Sequence, residues 1–180
     1  MSVLFDEALF YTTRFKTQIT CGPESEQTRD LYASGIWIAS PKGGKNLFYV
    51  TNRHLIDYEF DKKGWHHLGA NSIPLVDIEL RKFNGTTPSN ETKFFNLVSP
   101  PNEVYYPKDG SDLAVISISQ NQTIFKDALK EGYRPMCMNI DSFLADSSYF
   151  VKNLKLVDSV TFLGFPKGVF DTERNLPIAR

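Results

Sequence analysis

Between residues 75 and 83, apolar and polar side chains take turns. Val76, Ile78 and Leu80 fall on one side, and Asp77, Glu79 and Arg81 on the other. Successive side chains of an extended chain point to opposite faces, so this period of two predicts a strand with one face buried and one wet, as in an antiparallel sheet. Further runs rich in Phe, Tyr, Ile, Val and Thr lie at 8–17, 32–39, 46–51, 93–98, 112–118 and 159–163, and a last one begins at Leu176. Clusters of Gly, Pro, Asn and Asp break them at the spacing of a sandwich or barrel. Helical periodicity is scarce: residues 122–130 place Ile124, Ala128 and Leu129 on one side, and one further turn is expected after Asn52. The pattern predicts an all-β protein with no internal repeat. Where the strand run ends near Ser119 and new elements begin near Pro135, a short polar helix makes a plausible boundary between two units.

Composition narrows the class. With 180 residues, 41% of them hydrophobic and 23% charged, the chain can bury one ordinary core or two small ones. A formal net charge of -1 gives no electrostatic footing for a phosphate backbone, so nucleic acid is not an expected partner. Two distant cysteines, Cys21 and Cys137, cannot make a disulfide framework and read as reduced thiols. The start of the chain carries Asp6 and Glu7 where a secretory signal needs a basic and then an apolar stretch, and no run reaches membrane-spanning length. A cytoplasmic protein that does not bind membranes is the expectation.

Two segments carry chemistry. In Phe48-Tyr49-Val50-Thr51-Asn52-Arg53-His54-Leu55-Ile56 a hydrophobic strand ends and delivers a histidine into a short turn. A histidine fixed there can be held in one orientation, which a general base requires; it can equally be a residue that merely fills a turn. In Asp109-Gly110-Ser111-Asp112-Leu113-Ala114-Val115-Ile116 an aspartate opens an almost wholly apolar strand. A carboxylate in that place needs a partner, and accepting the Nδ1–H of a neutral histidine is one; capping the preceding turn is another.

Taken in order, Gly35 with Ile36-Trp37-Ile38, then Thr51-Asn52-Arg53-His54, then Asp112-Leu113-Ala114-Val115, then Gly164-Phe165-Pro166 resemble the landmarks of trypsin-like serine peptidases, especially the bacterial stand-alone and HtrA-like branches. The resemblance spans about residues 8 to 180. It implies a chymotrypsin-like double β-barrel, with residues 1–125 forming a complete first barrel that carries His54 and Asp112. Residues 126–180 would then be a connector and the start of an incomplete second barrel. It also implies His54 as general base, Asp112 as its orienting carboxylate, and a protein or peptide substrate.

The nucleophile does not carry over. In this family it follows the aspartate in a Gly-x-Ser-Gly loop whose amides form the oxyanion hole. Ser117, Ser119, Ser142, Ser147, Ser148 and Ser159 all lack a neighbouring glycine, and Cys137 in Pro135-Met136-Cys137-Met138 reads as a small buried residue. The expectation is an N-terminal portion of a longer peptidase, inactive by itself and completed by a C-terminal part; a non-catalytic, protease-like binding module is the alternative. Three lesser candidates remain. His66 and His67, adjacent and so pointing apart on a strand, make a poor metal pair, and neither metal nor cofactor is expected. Asp57 could replace Asp112 as the partner of His54 if the local turn is helical. Residues 42–45, Lys-Gly-Gly-Lys, read as a hairpin tip.

Overall fold

The computed structural model describes residues 10–21, 27–40, 46–67, 69–97, 104–118, 123–140, 163–164 and 178–179. Strand β1 (Thr12–Cys21) buries Phe15, Thr17, Ile19 and Cys21 and leaves the residues between them half-exposed, a strict period of two. It is flanked on both sides by antiparallel partners, β2 (Gln27–Ser40) and β4 (Ala70–Asn84). Beyond β2 come β3 (Asn46–Thr51), β7 (Ala114–Ile118) and β6 (Val104–Tyr105); beyond β4 comes β5 (Thr87–Phe95). Two short strands attach at the side: β8 (Tyr133–Arg134) pairs with β4, and β9 (Met138–Asn139) runs parallel to β2.

The all-β expectation therefore holds, with antiparallel pairing nearly throughout. The sheet path is open, with β5 and β6 at its two ends, so no closed barrel is formed among the described residues. The expected division at 125/126 falls inside a helix, α2 (Thr123–Lys130), and β8 and β9 carry the first sheet on to Asn139. After Ile140 a single antiparallel pair is described, β10 (Leu163–Gly164) with β11 (Ile178–Ala179), and β10 contacts β1 and β2. Most of the predicted 159–163 strand and the 42–45 turn lie outside the described residues.

Strand ends differ from those expected. The 8–17 run starts later and continues to Cys21 because its alternation does; 93–98 becomes Thr87–Phe95; and Asp112 stands two residues before its strand rather than opening it. In α2 the buried side chains are Phe125 and Ala128, while Ile124 and Leu129 are 45% and 44% exposed. That corrects the predicted face: α2 packs against β5 and β8 and puts the larger ring into the core. A second helix, α1 (Lys62–His67), was not expected at all.

One core fills the inner face of the sheet, built on Phe15, Trp37, Tyr49, Ile78, Leu80, Leu97 and Ile116. Each such side chain withdrawn from water contributes roughly 1.5–3 kcal/mol. The ring of Tyr49 runs against the backbone of Gly35, where a Cβ would lie 2.3 Å from its Cζ, and its hydroxyl donates to the Thr13 carbonyl at 3.1 Å. Glycine there is a matter of space. A smaller core of Ile19, Cys21, Trp65 and Ala70, with Tyr58 and Leu31 against it, sits apart from the first. Cys137 is half-buried and packs against the main core, and both cysteines are free thiols. Among the described residues, no helix is long and apolar enough to cross a membrane.

Candidate active site

Strands β3 and β7 are antiparallel neighbours, with Thr51 opposite Ala114. The chain therefore leaves β3 and enters β7 at the same rim of the sheet. Thr51 is buried, and its Oγ1 donates to the Ser34 carbonyl at 2.9 Å, pinning the strand end to β2. Asn52 stays extended at φ -76° and ψ 141°, and the chain then tightens into a 3₁₀ turn, Arg53–Leu55, with His54 at its centre. On the other strand, Gly110 takes φ +76°, which favours glycine, and the Ser111 N–H donates to Asp109 Oδ1 at 3.0 Å. This turn presents Asp112 to the histidine.

The two predicted residues meet. His54 Nδ1 lies 2.6 Å from Asp112 Oδ2, and the main-chain N–H of His54 donates to Asp112 Oδ1 at 2.9 Å. The Asn52 side-chain amide donates to Asp112 Oδ2 and to its carbonyl, both at 3.2 Å. An ionised carboxylate only accepts, so the imidazole proton sits on Nδ1 and Nε2 is left as the basic nitrogen. Burial pushes the Asp112 carboxyl up, but the hydrogen bonds from the His54 backbone, its ring and Asn52 outweigh this and hold it below the usual carboxylate range. The side chains of His54 and Asp112 are 39% and 40% exposed, so the pair is open to solvent.

The turn is held from behind as well. Trp65 Nε1 donates to the His54 carbonyl at 2.8 Å, and Thr17 Oγ1 donates to the Leu55 carbonyl at 3.1 Å. Beside them the Arg53 guanidinium stacks between Phe60 and Tyr106, 4.5 and 4.4 Å from the ring centres, and pairs with Asp57 at 2.8 Å. Asp57 is thus engaged by Arg53, and the carboxylate on His54 is Asp112. Asn52, Trp65 and Thr17 were not singled out from the sequence. The first two had a visible signal, an amide donor at a strand end and a lone tryptophan in a polar run.

The other candidates stand elsewhere. His66 and His67 lie on α1, not on a strand, and His66 Nε2 is 3.4 Å from the Tyr58 hydroxyl. No group of three or more His, Cys, Asp or Glu side chains that could hold a metal occurs among the described residues. Burial pushes the Cys137 thiol up to about 12, which keeps it protonated at neutral pH. Ser117 lies within β7 between the buried Ile116 and Ile118, while Ser119, Ser142, Ser147, Ser148 and Ser159 lie outside the described residues. No family model matches the chain, and no curated protein matches it by sequence.

Proposed function

We propose that this chain supplies the histidine and aspartate of a serine endopeptidase of trypsin-like type, with the nucleophilic serine coming from outside these 180 residues. The observation that carries the reading is the bond from His54 Nδ1 to Asp112 at 2.6 Å on a half-exposed ring, because a base must be both oriented and reachable. In the proposed reaction, Nε2 of His54 takes the serine proton as the oxygen attacks the substrate carbonyl. The imidazolium, steadied by Asp112, then protonates the leaving amine, and water resolves the acyl-enzyme by the reverse proton path. On this reading the open nine-stranded sheet, which takes in β8 and β9 as far as Asn139, stands for the first half of a chymotrypsin-like pair.

A fluorophosphonate probe applied to the product of the whole reading frame tests the proposal. Labelling that disappears in His54→Ala and Asp112→Ala supports it. No labelling of the wild type sinks it and favours a peptide-binding module, a reading supported by the lack of a glycine beside every serine after Asp112.

A further inference from the structure

A buried indole N–H without an acceptor is costly, and Trp37 Nε1 in the main core finds none among the described residues, so the bond that Trp65 makes is a feature of its own site. Trp65 is 4% exposed in the small core, and the acceptor it takes is the carbonyl of His54, at 2.8 Å. At six residues α1 is too short to stand alone. Its start is capped by Asp61, whose carboxylate accepts the Gly64 N–H at 3.1 Å and whose carbonyl accepts the Trp65 N–H at 3.1 Å. Gly64 leaves room for that cap, since a Cβ would lie 2.2 Å from Asp61 Oδ2.

We propose that Trp65 is a positioning residue for His54, its indole N–H fixing the turn so that the imidazole meets Asp112 in one orientation. His54 is gripped on both sides of its Cα: its N–H goes to Asp112 and its C=O to Trp65. With the backbone set, side-chain rotation is the freedom left, and the Nδ1 bond removes it. Thr17 repeats the device one carbonyl later, so two elements distant in sequence, β1 and α1, converge on one turn. The consequence for catalysis rests on the peptidase reading; the positioning of the ring does not.

The test reads the ring directly. In the chain labelled with 15N-histidine, the Nδ1–H signal of His54 is assigned by its loss in His54→Gln. Trp65→Phe keeps an aromatic ring in the small core and removes the donor. Placing benzothienylalanine at position 65 keeps the full shape and replaces N–H by sulfur, which guards against a packing defect. Both variants are expected to speed exchange of the Nδ1 proton about tenfold, the order set by one hydrogen bond, and to shift the ring toward mixed tautomers. A lower melting temperature with an unchanged Nδ1–H signal and tautomer ratio overturns the proposal, because a purely structural tryptophan would do that. If the wild type takes no fluorophosphonate label, the peptidase reading fails while this signal still reports on Trp65, so the two failures are told apart.

Discussion

Glu79 and Asp112 are gripped in the same way and placed in opposite surroundings. Glu79 accepts the Arg14 main-chain N–H at 3.1 Å and the Arg14 guanidinium through both oxygens, with side-chain exposures of 2% and 15% for acid and base. Asp112 accepts the His54 main-chain N–H and its ring at exposures of 40% and 39%. Arg81, whose guanidinium is drawn down by burial, lies near the first pair and donates to the Ser89 carbonyl at 2.7 Å. The buried pair is locked to a partner that is always charged, so it can hold β1 to β4 but can exchange no proton at working pH. The exposed pair gives up strength in return for a nitrogen that solvent can reach.

Removing the buried acid is the strongest way to break this contrast. Glu79→Ala strands Arg14 without its carboxylate and is expected to cost about 3–5 kcal/mol in chemical denaturation. Gly35→Ala probes the same rigid interior: the new methyl must push the Tyr49 ring off the Thr13 carbonyl, for a loss of about 1–3 kcal/mol. Asp112→Ala should cost less, about 1 kcal/mol or below, because its pair is half in water. If it cost as much as Glu79→Ala, the distinction between the two sites would collapse.

The smallest effect is the pH dependence of Asp112. Its carboxyl is held low in the fold, so its stabilisation is complete above the unfolded value of about 4 and is lost as pH falls through the lower folded value. Wild type should therefore be slightly more stable than Asp112→Asn near neutrality, and the gap should close below about pH 4. A gap that widens on acidification would mean the sign is wrong.

Much of this was legible in the chain. Residues 46–51 form β3 as expected, and the alternation at 75–83 marks the middle of β4, but its expected wet face is not wet: Glu79 and Arg81 are buried and only Asp77 is half-exposed. His54 and Asp112 could be paired because their segments, in that order, resemble the landmarks of trypsin-like peptidases; by themselves the residues left each an ordinary turn role. Other parts were hidden for physical reasons. In α1 a single apolar side chain stands among Lys62, Lys63, Gly64, His66 and His67, so no helical period exists to be read. Strands β8 and β9 are two residues long, below any period. On α2, Ile124, Phe125, Ala128 and Leu129 offer more than one apolar face. The surface formed by β5 and β8, where Phe95 and Tyr133 meet edge-on at 5.4 Å, selects among them.

The pairing of Thr51 with Ala114 has a kinetic side. His54 and Asp112 are 58 residues apart, so their contact closes a long loop and cannot precede the zipping of β3 onto β7. A slip of one residue in that zipper would carry Asp112 about 3.3 Å along the rim and turn β7 over, face for face. The His54–Asp112 hydrogen bond is thus a proofreader of register: it appears only in molecules whose long-range β-pairing has come out right, and its proton signal would time that step in a refolding experiment.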